Sequence, residues 1–368
     1  MSVLILSGSP IIGSFDFRTR VDFVRIPGVI KLRNGDYTSL SLHMDVEDTL
    51  ALRASIIHHT AESFAPDLFI VDKEPLGLRG EVTDTLEMLH AKGVPLVLGL
   101  RDVMDDPAAL AREWARKNAA PSLTSLYDEI WVYGLPQICK PLEKLDLPDS
   151  VHRKIVYTGY LPREIPAKSR ASIADHQSNK PYILVTAGGG GDGHALVDWV
   201  LRAYESVRDL PLPALIVTGP FMPTDLQGAL MERAQRLPNV EAITFDPGIE
   251  ALYDQAAGVV AMGGYNTFCE ILSFDKPALI VPRSVPRREQ LIRATRADEM
   301  GLVKCLADDG ARHALDMATA LRQLPQQRCP SDVVVPGLLD GLNSVNRLAD
   351  RMLQGGPRRT VSLVEDAG

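Results

Sequence analysis

The 368-residue sequence predicts an α/β protein of two domains, each built on a mainly parallel sheet. Short apolar runs alternate with stretches of helical spacing through nearly the whole chain, which is how strands joined by crossover helices read. The alternation lapses once, in the polar, two-proline stretch that begins Pro162-Arg-Glu-Ile-Pro166. The length exceeds what one ordinary core fills. Together these place a first domain over 1–161, a linker over 162–180, a second domain over 181–330, a final helix within 331–354 and a flexible tail over 355–368.

In the first domain the strands are expected at Val3–Leu6, Phe23–Ile26, Leu68–Val71, Leu96–Gly99, Ile130–Tyr133 and Ile155–Tyr157. Helical spacing covers Val46–Ser63, Glu81–Ala91 and Ala108–Lys117. In the second domain strands are expected at Tyr182–Val185, Ala214–Val217, Val240–Thr244, Gly258–Ala261, Ala278–Val281 and Leu302–Lys304, and the last helix at Leu338–Met352.

Composition narrows the function. Net charge is −8, so a broad electropositive face for nucleic acid is not expected. The cysteines Cys139, Cys269, Cys305 and Cys329 are scattered and form no CxxC pair, which argues against zinc and against a disulfide framework. No apolar run reaches the length of a membrane span. The start, Met1-Ser-Val-Leu-Ile-Leu-Ser-Gly-Ser-Pro, lacks a basic flank and reads as a strand and turn rather than a signal peptide. A cytoplasmic protein is expected, with a peripheral contact at the inner membrane face left open.

Two glycine segments carry the chemistry. In Tyr182-Ile-Leu-Val-Thr-Ala-Gly-Gly-Gly-Gly-Asp-Gly-His194, a buried strand runs into Gly188, Gly189, Gly190, Gly191 and Gly193 just before a helix. Backbone without Cβ atoms can approach an anion closely, and the unpaired N–H groups of a helix start point at it. Gly188, Gly190 and Gly193 also satisfy G-x-G-x-x-G, but the next strand ends Ile216-Val-Thr-Gly-Pro220 without the acid that NAD sites place there. No Walker lysine exists. A tight turn with no ligand is the alternative reading.

In the second segment the strand at Gly258–Ala261 ends in Gly263-Gly264. A helix follows, with Asn266 or Thr267 placed to cap it and Glu270 in its first turns. A carboxylate there can accept from two ribose hydroxyls, or simply favour the helix N-terminus.

Gly-Gly-x-x-Thr-x-x-Glu, a short helix, Lys276-Pro277 and an Ile-Val-Pro strand resemble glycosyltransferase family 28, whose fold is GT-B: two Rossmann-like domains around a cleft. The resemblance runs through Arg288-Glu-Gln-Leu-Ile-Arg-Ala294 and covers about residues 180–305, the first half only in outline. It implies that the glycine turns (Gly188, Gly189, Gly190, Gly191, Gly263, Gly264) with Asn266 and Thr267 hold a diphosphate. It assigns Glu270 to the ribose of UDP, Phe245 to the vicinity of the base, and Arg288, Glu289 and Gln290 to the donor sugar. The family's usual asparagine is Arg293 here, which bears on the sugar's identity.

The implied activity is transfer of an N-acetylhexosamine or hexose from a UDP-sugar to a hydroxyl of a glycan, lipid or small-molecule acceptor, with inversion. No cofactor and no metal are expected, since the chain has no D-x-D. Charge on the leaving UDP then falls to helix N-termini and to cations among Arg283, Arg287, Arg288, Arg293 and Arg296; a solvated helix face is the plain alternative for that cluster. Asp72, Glu74 and Asp102, at first-domain strand ends, are the candidates for general base on the acceptor.

Family members open with a strand, a glycine-rich turn and a long helix. Here Val3–Leu6 reaches Phe23–Ile26 with no convincing helix between, so the start resembles the family's second strand and the first domain is expected to be incomplete. Two other readings follow: a UDP-sugar hydrolase or epimerase on the same fold, or a non-catalytic nucleotide-sugar-binding subunit or shortened enzyme.

Overall fold

The computed structural model describes residues 1–14, 17–31, 37–166 and 180–355. Most of the expected linker and the tail beyond 355 lie outside the described residues.

The first half contains β1 (Val3–Ser7), β2 (Val21–Arg25), β3 (Val29–Lys31), β4 (Tyr37–Ser39), α1 (Val46–Phe64), β5 (Phe69–Asp72), α2 (Thr83–Ala91), β6 (Leu96–Arg101), α3 (Pro107–Arg116), α4 (Ala120–Ser125), β7 (Glu129–Tyr133), α5 (Asp149–His152) and β8 (Ile155–Tyr157). The second half contains β9 (Ile183–Thr186), α6 (His194–Ser206), β10 (Ala214–Val217), α7 (Thr224–Gln235), β11 (Val240–Ile243), α8 (Ile249–Gln255), β12 (Gly258–Ala261), α9 (Tyr265–Ser273), β13 (Ala278–Ile280), α10 (Glu289–Glu299), β14 (Lys304–Cys305), α11 (Ala314–Gln323) and α12 (Gly341–Gly355).

The second domain is one six-stranded sheet in the order β11-β10-β9-β12-β13-β14, every pair parallel. Its central strands are buried on both faces, as their unbroken apolar runs require. On one face Trp199, Val200 and Leu201 of α6 pack with Met317 and Leu321 of α11; on the other, Phe268, Ile271 and Leu272 of α9 pack with Leu302. Each such side chain contributes roughly 1.5–3 kcal/mol by leaving water.

The chain moves outward from β9 through β10 to β11, then returns to place β12 on the other side of β9. That reversal opens a crevice at the carboxyl ends of β9 and β12, where ligands of open α/β sheets sit.

The first domain is less continuous. Its parallel strands fall into a pair, β1-β2, and a four-stranded sheet, β5-β6-β7-β8, with an antiparallel hairpin β3-β4 between them in sequence. Apolar spacing does not reveal the three-residue hairpin strands or α4, because each is too short to show a period. β6 is buried throughout its apolar run, whereas Ile70 on the edge strand β5 is 43% exposed. α3 starts sharply: Pro107 occupies its first turn and the Asp106 carboxylate accepts from the Ala108 and Ala109 amides.

α12 starts against the end of the first domain. The Gly341 amide donates to the Tyr160 carbonyl, the Tyr160 amide donates to the Leu338 carbonyl, and Arg351 pairs with Glu129 of β7. Among the described residues no helix is long and apolar enough to cross a membrane, and the four cysteines are free.

Candidate active site between the two domains

Both glycine segments sit in the crevice, the first after β9 and the second after β12. Their glycines do two different jobs. Gly190 has φ +88°, and a Cβ there would lie 2.4 Å from the Thr218 carbonyl oxygen; one on Gly193 would lie 2.2 Å from the Ala187 Cβ. Gly190 lets the turn pack against the loop after β10 and Gly193 lets it close on Ala187, so the fold itself demands both.

Gly191 and Gly264 differ. Neither has positive φ; a Cβ on Gly191 would meet nothing closer than 3.9 Å, and one on Gly264 would meet nothing within 4 Å. The fold does not need glycine at these two positions, and the space in front of them is open.

The helix that follows Gly264 departs from the expected capping. Gly264 itself is the N-cap of α9 and no side chain caps the helix; Asn266 and Thr267 already lie inside the first turn. The glycine pair, with Gly263 at φ +76°, lets the chain enter the helix early. The N-terminal N–H groups are thereby left for an anion rather than a side chain. Asn266 instead accepts from Arg163 at 3.0 Å, and Arg163 also donates its amide to the Ser273 hydroxyl. The described start of the expected linker therefore lies along α9.

Glu270 sits in the second turn of α9. Burial raises its carboxyl pKa above the ordinary value, opposed by the Tyr253 hydroxyl and the Arg163 guanidinium. Phe245, just past β11, presents a ring that is 46% exposed. Gln290 is buried and accepts the Arg283 amide at 3.2 Å, while Glu289 pairs with the Arg283 guanidinium at 2.6 Å. Arg283 also pairs with Asp192 of the first glycine turn.

The arginine cluster is engaged mainly at the domain boundary, although the Arg288 and Arg296 side chains stay exposed. Four of its five members reach across to the first domain. The Arg288 amide donates to Asp105 at 2.9 Å, Arg287 lies 3.4 Å from Glu113, and Arg296 donates to the Gln137 carbonyl at 2.7 Å.

Arg293 makes the strongest of these ties. Its Nε donates to Asp102 Oδ2 at 2.7 Å, its second Nη to Oδ1 at 2.5 Å, and its first Nη to the Gly263 carbonyl at 2.9 Å. Arg293 is 1% exposed and Asp102 0%. The Tyr160 hydroxyl donates to the same carboxylate at 2.7 Å, as does the Val103 amide. Asp102, proposed from sequence as a base, is sealed from solvent with both oxygens engaged, a placement that suits holding the domains together rather than meeting an acceptor. Arg293 likewise points into the domain interface.

Of the other candidate bases, Glu74 is spent on Lys117 at 2.6 Å. Asp72, at the end of β5, makes no ion-pair contact among the described residues. Partial enclosure raises its carboxyl pKa, against the pull of Arg101 and Lys73. No group of three His, Cys, Asp or Glu side chains gathers at metal-binding distance among the described residues.

Residues 182–323 match the glycosyltransferase family 28 C-terminal domain. No curated protein sequence matches the chain. Solved structures extend the likeness to both domains. MurG of Acinetobacter baumannii is 12% identical with TM-score 0.52, covering 91% of this chain and 85% of its own. Phytolacca americana UGT2, complexed with UDP-2-fluoro-glucose and pterostilbene, is 13% identical with TM-score 0.61, covering 95% and 92%. The UDP-GlcNAc 2-epimerase of Neisseria meningitidis, bound to UDP-GlcNAc, is 13% identical with TM-score 0.56, covering 96% and 100%. The fold is GT-B, the class expected from the sequence.

Sequence spacing did not point to Arg163 or Tyr160, which face the site or its supports; Lys73 and Arg101 fell within strand-end segments marked by the sequence, but only for the carboxylates beside them. Each lies in a loop or at a strand end, outside any motif, and acquires its role only when the domains meet.

Proposed function

We propose that this protein is a glycosyltransferase that moves a hexose or N-acetylhexosamine from a UDP-sugar to a hydroxyl acceptor, without a metal ion and with inversion. The observation that carries the reading is the pair of glycines the fold does not need, Gly191 and Gly264, on two uncapped helix starts at the switch point of the sheet.

In this scheme the diphosphate lies on the backbone N–H groups of the two turns, with Asn266 and Thr267 beside it. Glu270 takes the ribose hydroxyls and Phe245 flanks the base. The starts of α6 and α10, with Glu289, Gln290 and Arg288, border the sugar. Asp72 accepts the proton as the acceptor oxygen attacks the anomeric carbon. The bond from that carbon to the β-phosphate oxygen breaks, and its electron pair leaves with UDP. The negative charge developing there meets fixed backbone dipoles, which need no reorganisation. The acceptor is a glycan, lipid or small molecule carrying a hydroxyl, and a lipid acceptor would bring the protein to a membrane surface.

Similarity to an epimerase bound to its nucleotide sugar supports a second reading, a UDP-sugar epimerase or hydrolase. Free sugar or a C2 epimer formed without acceptor identifies it. Thermal-shift measurements against UDP, UDP-sugars, NAD and ATP test the donor assignment. UDP and its sugars should raise Tm, by about 2.7 kcal/mol of stabilisation at a hundredfold excess over Kd. A rise with NAD or ATP and none with UDP defeats it. UDP binding with no turnover of any kind points to a binding subunit.

A further inference from the structure

Lys73 and Arg101 form a cationic pair that the donor chemistry does not use. They sit at the carboxyl ends of neighbouring parallel strands: Lys73 directly follows β5, Arg101 ends β6, and Asp72 is in register with Gly99. Lys73 is a non-glycine residue held at φ +69°, with its amide donating to the Gly99 carbonyl at 2.7 Å. Such a conformation costs on the order of 1–3 kcal/mol, and strain of this kind gathers at functional sites.

The cations are under-compensated. Glu74 is committed to Lys117, Glu289 to Arg283, and Arg287 to Glu113. Neither Lys73 nor Arg101 has a carboxylate in ion-pair contact among the described residues. Arg101 lies over the Tyr265 ring, 5.8 Å from its centroid, which braces the guanidinium without neutralising it. Enclosure, and then repulsion from Arg287 and Arg101, holds the Lys73 amine below the ordinary lysine range, against the pull of Glu74 and Glu289. Asp72 supplies one negative charge nearby against these two positive ones.

Two half-buried cations on adjacent strand ends, one braced on an aromatic ring, fit a dianion better than a carboxylate. A planar guanidinium and a point-charge ammonium together suit the oxygens of a phosphate. We propose that Lys73 and Arg101 bind a phosphate group carried by the acceptor, holding its hydroxyl beside Asp72. The word acceptor rests on the glycosyltransferase reading; the anion site itself does not.

The test is calorimetric titration of inorganic phosphate into the full chain saturated with UDP, so that the glycine turns are already filled. Acetate, glycerol 1-phosphate, and phosphatidic acid vesicles in phosphatidylcholine serve as parallel arms. Wild type should take up one phosphate, or one of the two esters, and acetate more weakly. Binding should weaken as salt is raised. Lys73→Gln and Arg101→Gln should each lower phosphate affinity by about tenfold or more. Lys73→Arg should retain most of it, and UDP affinity and Tm should stay at wild-type values in all three.

Binding by the soluble ester or by the vesicles says which source carries the phosphate. The proposal is overturned if UDP-loaded protein takes up no phosphate, if acetate binds as well, if Lys73→Gln binds like wild type, or if Lys73→Gln loses UDP affinity instead. Should UDP itself not bind, the donor reading fails separately. Phosphate titration of the unliganded wild type and Arg101→Gln then decides the anion site, equal affinities overturning it.

Discussion

In the proposed scheme the two domains meet anions with different materials. The second uses backbone: glycine turns and helix starts at the ends of β9 and β12, with little side-chain charge in direct view. The first uses side chains: Lys73 and Arg101 at the ends of β5 and β6, beside Asp72. A backbone site is fixed once the sheet forms. A side-chain site depends on which charges the facing domain neutralises, and here Arg283, Arg287, Arg288, Arg293 and Arg296 are largely occupied by carboxylates and carbonyls. Catalytic loss should therefore follow first-domain side chains, and donor loss second-domain backbone.

The largest effect should come from Asp72. Asp72→Asn removes the proposed base and should lower kcat by about 10²–10⁴-fold while leaving the Kd for UDP unchanged. Because the Asp72 pKa is raised, its carboxylate takes a proton at a higher pH than an ordinary aspartate. The acid limb of the kcat profile should then lie above the usual aspartate range and vanish in Asp72→Asn. An unchanged rate in that variant removes Asp72 from the mechanism.

Next comes the domain tie. Arg293→Met strands the buried Asp102 carboxylate and should cost about 3–5 kcal/mol, read as a fall in the denaturant midpoint. Adding Asp102→Leu should recover part of the loss, since the stranded charge is then gone; a double variant no better than the single one contradicts a pairwise tie.

The glycines separate the two kinds of backbone requirement. Gly191→Ala and Gly264→Ala should keep the wild-type Tm but weaken UDP by about tenfold, roughly 1.4 kcal/mol. Gly190→Ala, with φ +88° and its Cβ against the Thr218 carbonyl, should lower Tm as well. Loss of stability in all three would erase the distinction drawn between fold-required and ligand-facing glycines.

The smallest effect is expected at Glu270. Glu270→Gln should weaken UDP by several-fold, on the order of 1 kcal/mol, and leave pyrophosphate binding intact. Equal loss of both ligands contradicts a ribose contact.

What could be read from sequence follows the same division. The parallel strands of the second domain and both glycine turns were legible because buried strands and bare turns are local properties of consecutive residues. The expected cap on Asn266 or Thr267 missed because the Gly263-Gly264 pair starts α9 earlier than side-chain preferences indicate. Asp102 looked like a candidate base because it follows a strand; its partner, Arg293, lies 191 residues away and belongs to the other domain. Lys73 and Arg101 lie in strand-end segments that the sequence marks, but only the carboxylates beside them stood out, because the pairing of the surrounding charges is set by residues distant in sequence. The β3-β4 hairpin and the separation of β1-β2 from β5-β8 also depend on contacts that no short window contains.

The central claim is that a nucleoside diphosphate lies across both uncapped helix starts. Hydrogen–deuterium exchange with and without saturating UDP tests it directly. Amides in 188–194 and in 263–268 should both slow on adding UDP, with little change at the ends of β5 and β6. Protection of only one turn, or protection that leaves both turns exchanging as before, contradicts the account.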